Sequence, residues 1–127
     1  MLETFNQQLS QRDGAQRIIP SLELFQHIQQ NYQHFQAMSR GHTGERLWEL
    51  AQTALSKTIE QVLLTASAEK HPPSLPLPVI AQYLAGSFLS LTKWWLQAEM
   101  PYTPEQMESF FQQLALPGVR NAIAGKT

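Results

Sequence analysis

Apolar residues recur along this chain at intervals of three and four, with no run of strict alternation, so the pattern specifies helices and no strands. Leu2, Phe5 and Leu9 share one helical stripe before Asp13-Gly14 interrupts it. This is either a short docking helix or the end of a longer one. After Ile19-Pro20, Ser21 has the hydroxyl of an N-cap and Glu23 the carboxylate that suits a first turn. A helix is expected from about Leu22 to Ser39, with Leu24, Phe25, Ile28, Tyr32, Phe35 and Met38 on one face and Gly41 at its end. Gly44-Glu45 opens a second long helix carrying Trp48, Ala51, Leu55, Ile59, Val62 and Leu63 as its stripe. Four prolines between Ser67 and Pro78 mark a connection. Pro78 suits the first position of the next helix, which runs to about Glu99 and stops at Met100-Pro101. Thr103-Pro104-Glu105-Gln106 reads as a capping box, and the helix it starts carries Met107, Phe110, Phe111 and Leu114 until Pro117-Gly118 ends it. The expected fold is all-α, an antiparallel bundle of about five helices, in one domain spanning residues 1–127.

The helix over residues 79–99 is too apolar for a simple surface helix. Ile80, Leu84, Phe88, Leu91 and Trp95 form a central stripe, flanked by Tyr83 and Trp94 on one side and by Ala85, Leu89 and Leu96 on the other. At ~100° per residue the apolar arc is about 240°, against slightly more than ~100° for a surface helix. Such a helix is central to its domain, or packs inward on one side and on a partner on the other. Gly86 interrupts it at the expense of helix propensity, which fits either a close backbone crossing or a tolerated glycine.

Composition narrows the function. A net charge of −1, with 15% charged residues, provides no basic field for a phosphate backbone, so this chain is not expected to contact nucleic acid itself. The absence of cysteine excludes disulfides, thiolate metal sites and cysteine nucleophiles. No apolar run approaches the ~20 residues of a bilayer span and no signal sequence is visible, which points to a cytoplasmic protein without membrane contact.

Chemistry-bearing motifs are absent. There is no glycine-rich phosphate loop, no H-E-x-x-H and no G-x-S-x-G, and the acids are scattered, so neither an enzyme nor a cofactor is expected. His27 and His34 stand two turns apart, too far to chelate one ion, and no metal site is expected. The aromatic set admits two readings. Phe35, Trp48 and Trp95 suit a core, whereas Tyr32 and Tyr83 need phenol partners when buried and so suit a ligand cavity. Gln52 and Ser87 lie at the edges of their stripes as further polar handles. The candidate ligand-binding set is therefore Tyr32, Phe35, Trp48, Gln52, Tyr83, Ser87 and Trp94. The neutral interior favours an uncharged or weakly charged small molecule, with Lys93 on the polar seam facing solvent or an interface rim.

The run AQYLAGSFLSLTKWWLQAEMPYTPEQMESFFQQL, with Trp94-Trp95 followed by Met100-Pro101-Tyr102-Thr103-Pro104-Glu105, resembles the C-terminal region of TetR-type transcriptional regulators. The segment SLELFQHIQQNYQHFQAMSRGHTGERLWELAQTAL extends the resemblance upstream, so that it covers roughly Ser21 to Gly118. It implies a homodimer in which the last two helices of each protomer form a four-helix bundle, and a small-molecule pocket within the earlier helices. Candidate dimer-interface residues are Ala85, Leu89, Leu96, Met107, Phe110, Phe111 and Leu114. Regulators of this type carry an N-terminal helix-turn-helix domain of about fifty residues, for which this sequence has no counterpart. Residues 1–13 are then a candidate remnant of the linking helix, and DNA would be reached only through the missing head. The expected function is effector sensing and homodimerisation for a transcriptional regulator; the alternative is a helical protein-interaction module without ligand.

Overall fold

The computed structural model describes residues 19–67 and 73–123. The expected stripe at Leu2, Phe5 and Leu9 lies outside the described residues. Within them there are five helices and no strands: α1 (Ser21–Gln30), α2 (Tyr32–Met38), α3 (Gly41–Ser67), α4 (Leu77–Gln97) and α5 (Pro104–Ile123). The all-α expectation holds.

Helix α3 starts at Gly41, three residues before the expected Gly44-Glu45, and three further differences stand out. The single helix expected from Leu22 to Ser39 is broken at Asn31, whose backbone leaves helical geometry at φ −117° and ψ 33°. Its side-chain amide donates to the His27 carbonyl at 2.9 Å, the kind of local bond with which asparagine competes against a helix ladder. Ser21 is not the N-cap. Pro20 fills that position in an inverse γ-turn, φ −76° and ψ 66°, closed by Ser21 N–H donating to the Ile19 carbonyl at 2.8 Å, and Ser21 is buried as the first helical residue.

The third difference is at the C-terminus. Pro117-Gly118 does not end α5, which continues through Pro117 to Ile123. A mid-helix proline costs about 3 kcal/mol. The offset is visible: Leu116, Val119 and Ala122 all bury in the core, and Ser74 N–H, from the connection before α4, donates to the Ala122 carbonyl at 2.8 Å. The last turns therefore hold the segment that leads into α4.

The core is a chain of rings. Phe25 of α1 lies 5.0 Å from Phe88 and 5.4 Å from Trp95 of α4, and Phe88 lies 5.5 Å from Phe111 of α5, all within aromatic-pair range. Ile59 and Leu63 of α3 close the core on another side. Helix α4 touches every other layer: it packs most extensively on α3, and also on α5 and α2, while α1 lies on α5. That central position accounts for the central stripe of its wide apolar arc and for the flank that carries Ala85 and Leu96.

The expected capping box is present. Thr103 N–H donates to Gln106 Oε1 at 2.9 Å and Gln106 N–H to Thr103 Oγ1 at 3.1 Å, so two orphan donors of α5 are satisfied reciprocally. Helix α4 ends in a Schellman motif, with Met100 N–H on the Trp95 carbonyl at 2.8 Å and Glu99 N–H on the Leu96 carbonyl at 3.2 Å. The left-handed position is filled by Glu99, φ 65°, where glycine is usual, and Met100 follows at φ 51°. The buried indole of Trp95 donates to the Tyr102 carbonyl at 2.8 Å and pins this strained connection to the core.

Candidate functional site

Helix α4 presents two kinds of surface. Its outer face carries Val79, Tyr83 and Trp94, and beside it lie Tyr102 from the connection and Phe110 and Leu114 from α5, all exposed. Trp94 stacks on Tyr102 with ring centroids 6.3 Å apart and planes at 28°, and Tyr102 meets Phe110 edge-on at 5.1 Å. Trp94 is 48% exposed, Tyr83 52% and Leu114 71%, so the α4–α5 hairpin has an apolar outer face in addition to its core face.

This reverses the expected division of α4. Ala85 is 0% and Leu96 1% exposed, so both are protomer core and cannot meet another subunit. Leu89 is half-buried and packs against the core. The cover their flank needs comes from inside the protomer, where a Cβ at the neighbouring Gly86 would stand 3.3 Å from the Gln52 amide of α3. Met107 and Phe111 are likewise core residues. Of the expected interface set only Phe110 and Leu114 are exposed, and they are joined by Tyr83 and Trp94, which the sequence suggested for a pocket. Val79 was missed although it stands one turn before Tyr83 on the same face; Tyr102, in a connection, gave no periodic signal.

The other surface lies at the elbow between α2 and α3. Gly41 takes φ 70°, and α3 starts with its backbone pressed on the end of α2. A Cβ at Gly44 would overlap the Ser39 carbonyl and lie 2.9 Å from the Met38 oxygen, so only glycine allows this approach. An apolar recess of about 80 Å³ opens here, lined by Phe35, Met38, Ser39, Leu47, Trp48 and Ala51. The Trp48 indole N–H is buried and has no hydrogen-bond partner among the described residues. On Ser39 borders also a larger polar basin of about 450 Å³, lined by Gln36, Arg40, Glu45, Lys93 and Gln97 among others.

Of the expected ligand residues, Phe35 and Trp48 line the recess. Tyr32 is half-buried against the core. Gln52 lies across Gly86 instead, and the Ser87 hydroxyl donates to the Leu84 carbonyl of its own helix at 3.2 Å. Tyr83 and Trp94 are on the outside. Lys93, expected at solvent or an interface rim, lines the basin. His27 and His34 set their rings edge-on to Phe35, at 5.8 and 6.0 Å. No cluster of three metal-ligating side chains occurs among the described residues.

Residues 20–116 match the family described as transcriptional regulator C-terminal region, of the TetR type, and the chain belongs to that family. No curated protein and no solved structure gives a match. The family is one of transcription regulators, and no helix among the described residues is long and apolar enough to cross a membrane.

Proposed function

We propose that this chain is the effector-sensing and homodimerisation domain of a TetR-type transcriptional regulator. The observation that carries the reading is the exposed aromatic face of the α4–α5 hairpin, Tyr83, Trp94, Tyr102, Phe110 and Leu114, on a chain of this family. Exposed apolar side chains, three of them in preset ring contacts at Trp94, Tyr102 and Phe110, favour association, and an isologous pairing of two hairpins covers the same face on both protomers. The partner is a second copy of the chain; nucleic acid is contacted by a helix-turn-helix head and not by these helices.

The sensing half of the reading rests on the elbow. Recess and basin lie where α2, α3 and α4 converge, and α1 and α2 meet at the Asn31 break next to them. A small-molecule effector seated there biases the angle of α1 and α2 against the α4–α5 hairpin, which is the coupling an allosteric regulator needs. Sedimentation equilibrium tests the dimer. The wild type is expected to sediment as a dimer at micromolar concentration and Tyr83→Glu as a monomer with an unchanged helical spectrum. A wild-type monomer under these conditions, or a dimeric Tyr83→Glu, contradicts the reading.

A further inference from the structure

The basin and the recess meet at Ser39 and differ in character. The recess has walls of Phe35, Met38, Leu47, Trp48 and Ala51 and a single buried polar group without a partner, the Trp48 indole N–H. The basin brings Arg40 at the end of α2 and Lys93 of α4 into one concavity, opposed by one carboxylate, Glu45. Two cations against one anion leave a single positive charge in excess, and the Gln36 and Gln97 amides add neutral hydrogen-bonding groups. Glu45 disfavours a doubly charged anion, and the single excess positive charge favours a singly charged anion over a neutral ligand. The guanidinium fork of arginine matches a carboxylate in two parallel bonds, and lysine adds a point charge.

We infer that the elbow binds a singly charged amphipathic organic anion, its carboxylate between Arg40 and Lys93 and its apolar body against Phe35, Leu47 and Trp48. The inference rests on the reading of this chain as an effector-sensing domain and names the chemical class of the effector. It narrows the uncharged or weakly charged ligand that the neutral core suggests to a singly charged one, because Arg40 and Lys93 line the same basin. The walls are set in advance by the Gly41 turn and the Gly44 approach to Ser39, so little ordering accompanies binding.

Isothermal titration calorimetry of the full chain with octanoate, octanol and octylamine tests this. Octanoate is expected to bind once per protomer, about tenfold or more tighter than either counterpart, and more weakly as salt is raised. Arg40→Gln and Lys93→Gln are each expected to weaken octanoate about tenfold and leave octanol unchanged; both sites lie at the surface of the fold, and circular dichroism checks that the helices persist. Octanol binding as tightly as octanoate, or octanoate affinity unmoved by both substitutions, overturns the anion assignment while the sensing reading stands. No binding of any of the three probes overturns the elbow as the effector site altogether.

Discussion

The two surfaces of α4 differ in how they are finished. The outer face is aromatic: Tyr102 stacks on Trp94 and meets Phe110 edge-on, and Trp95 pins the connection beneath them from the core. The elbow side is concave and polar, and it is shaped by backbone proximity at Gly44 more than by side-chain packing. A surface of the first kind gains by covering apolar area with a matching copy. The second gains by admitting a small ion with an apolar body. On α4 the two surfaces are close neighbours, since Lys93 of the basin and Trp94 of the outer face are consecutive residues, about 100° apart around the helix.

Substitution with glutamate divides the two flanks most sharply. Leu96→Glu places a charge in the protomer core and is expected to cost several kcal/mol, enough to abolish the cooperative thermal transition. Phe110→Glu is expected to cost about 1 kcal/mol or less in a protomer, because the residue is exposed, yet to dissociate the dimer. Thermal denaturation and sedimentation of the pair show both effects. Equal stabilities would mean that the flanks are not distinguished as described.

Gly44→Ala acts on the elbow alone. The added methyl meets backbone and not a flexible side chain, so the expected destabilisation is about 1–3 kcal/mol by urea unfolding, with the dimer retained at concentrations where the protein is folded. A neutral effect would show that the α2–α3 approach relaxes freely and that the cavity walls are not fixed. Glu99→Gly makes the smallest change. It relieves a left-handed non-glycine residue at the end of α4 and is expected to stabilise the chain by about 1 kcal/mol, partly offset by the entropy of the unfolded chain.

Much of this fold is legible in the sequence. The capping box at Thr103 and Gln106, the Pro-rich connection and the stripes of α3 and α4 follow from spacing alone, because local hydrogen bonding and helical period decide them. Asn31 and Pro117 show where that logic stops. An asparagine amid good helix formers breaks α1 from α2, and a proline that should end α5 is carried through by the burial of Val119 and Ala122, a tertiary effect with no local sign. The site was harder to read for the same reason. Periodicity showed that α4 has two apolar flanks beyond its central stripe, but not which one α3 would cover. Tyr83 and Trp94 are therefore exposed, while Ala85 and Leu96 are buried. Arg40 and Lys93, 53 positions apart, share a basin only because α2 reaches α4, and no pattern along the chain joins them.

The central claim is that the Tyr83 and Trp94 flank of α4 meets a second copy. Hydroxyl-radical footprinting at low and high protein concentration measures it residue by residue. The prediction is that oxidation of Tyr83, Trp94 and Phe110 falls several-fold as concentration rises, while Trp48 at the elbow oxidises at a constant rate. Protection that is independent of concentration at the outer face, or that appears at Trp48 and Leu89 in its place, would contradict the account.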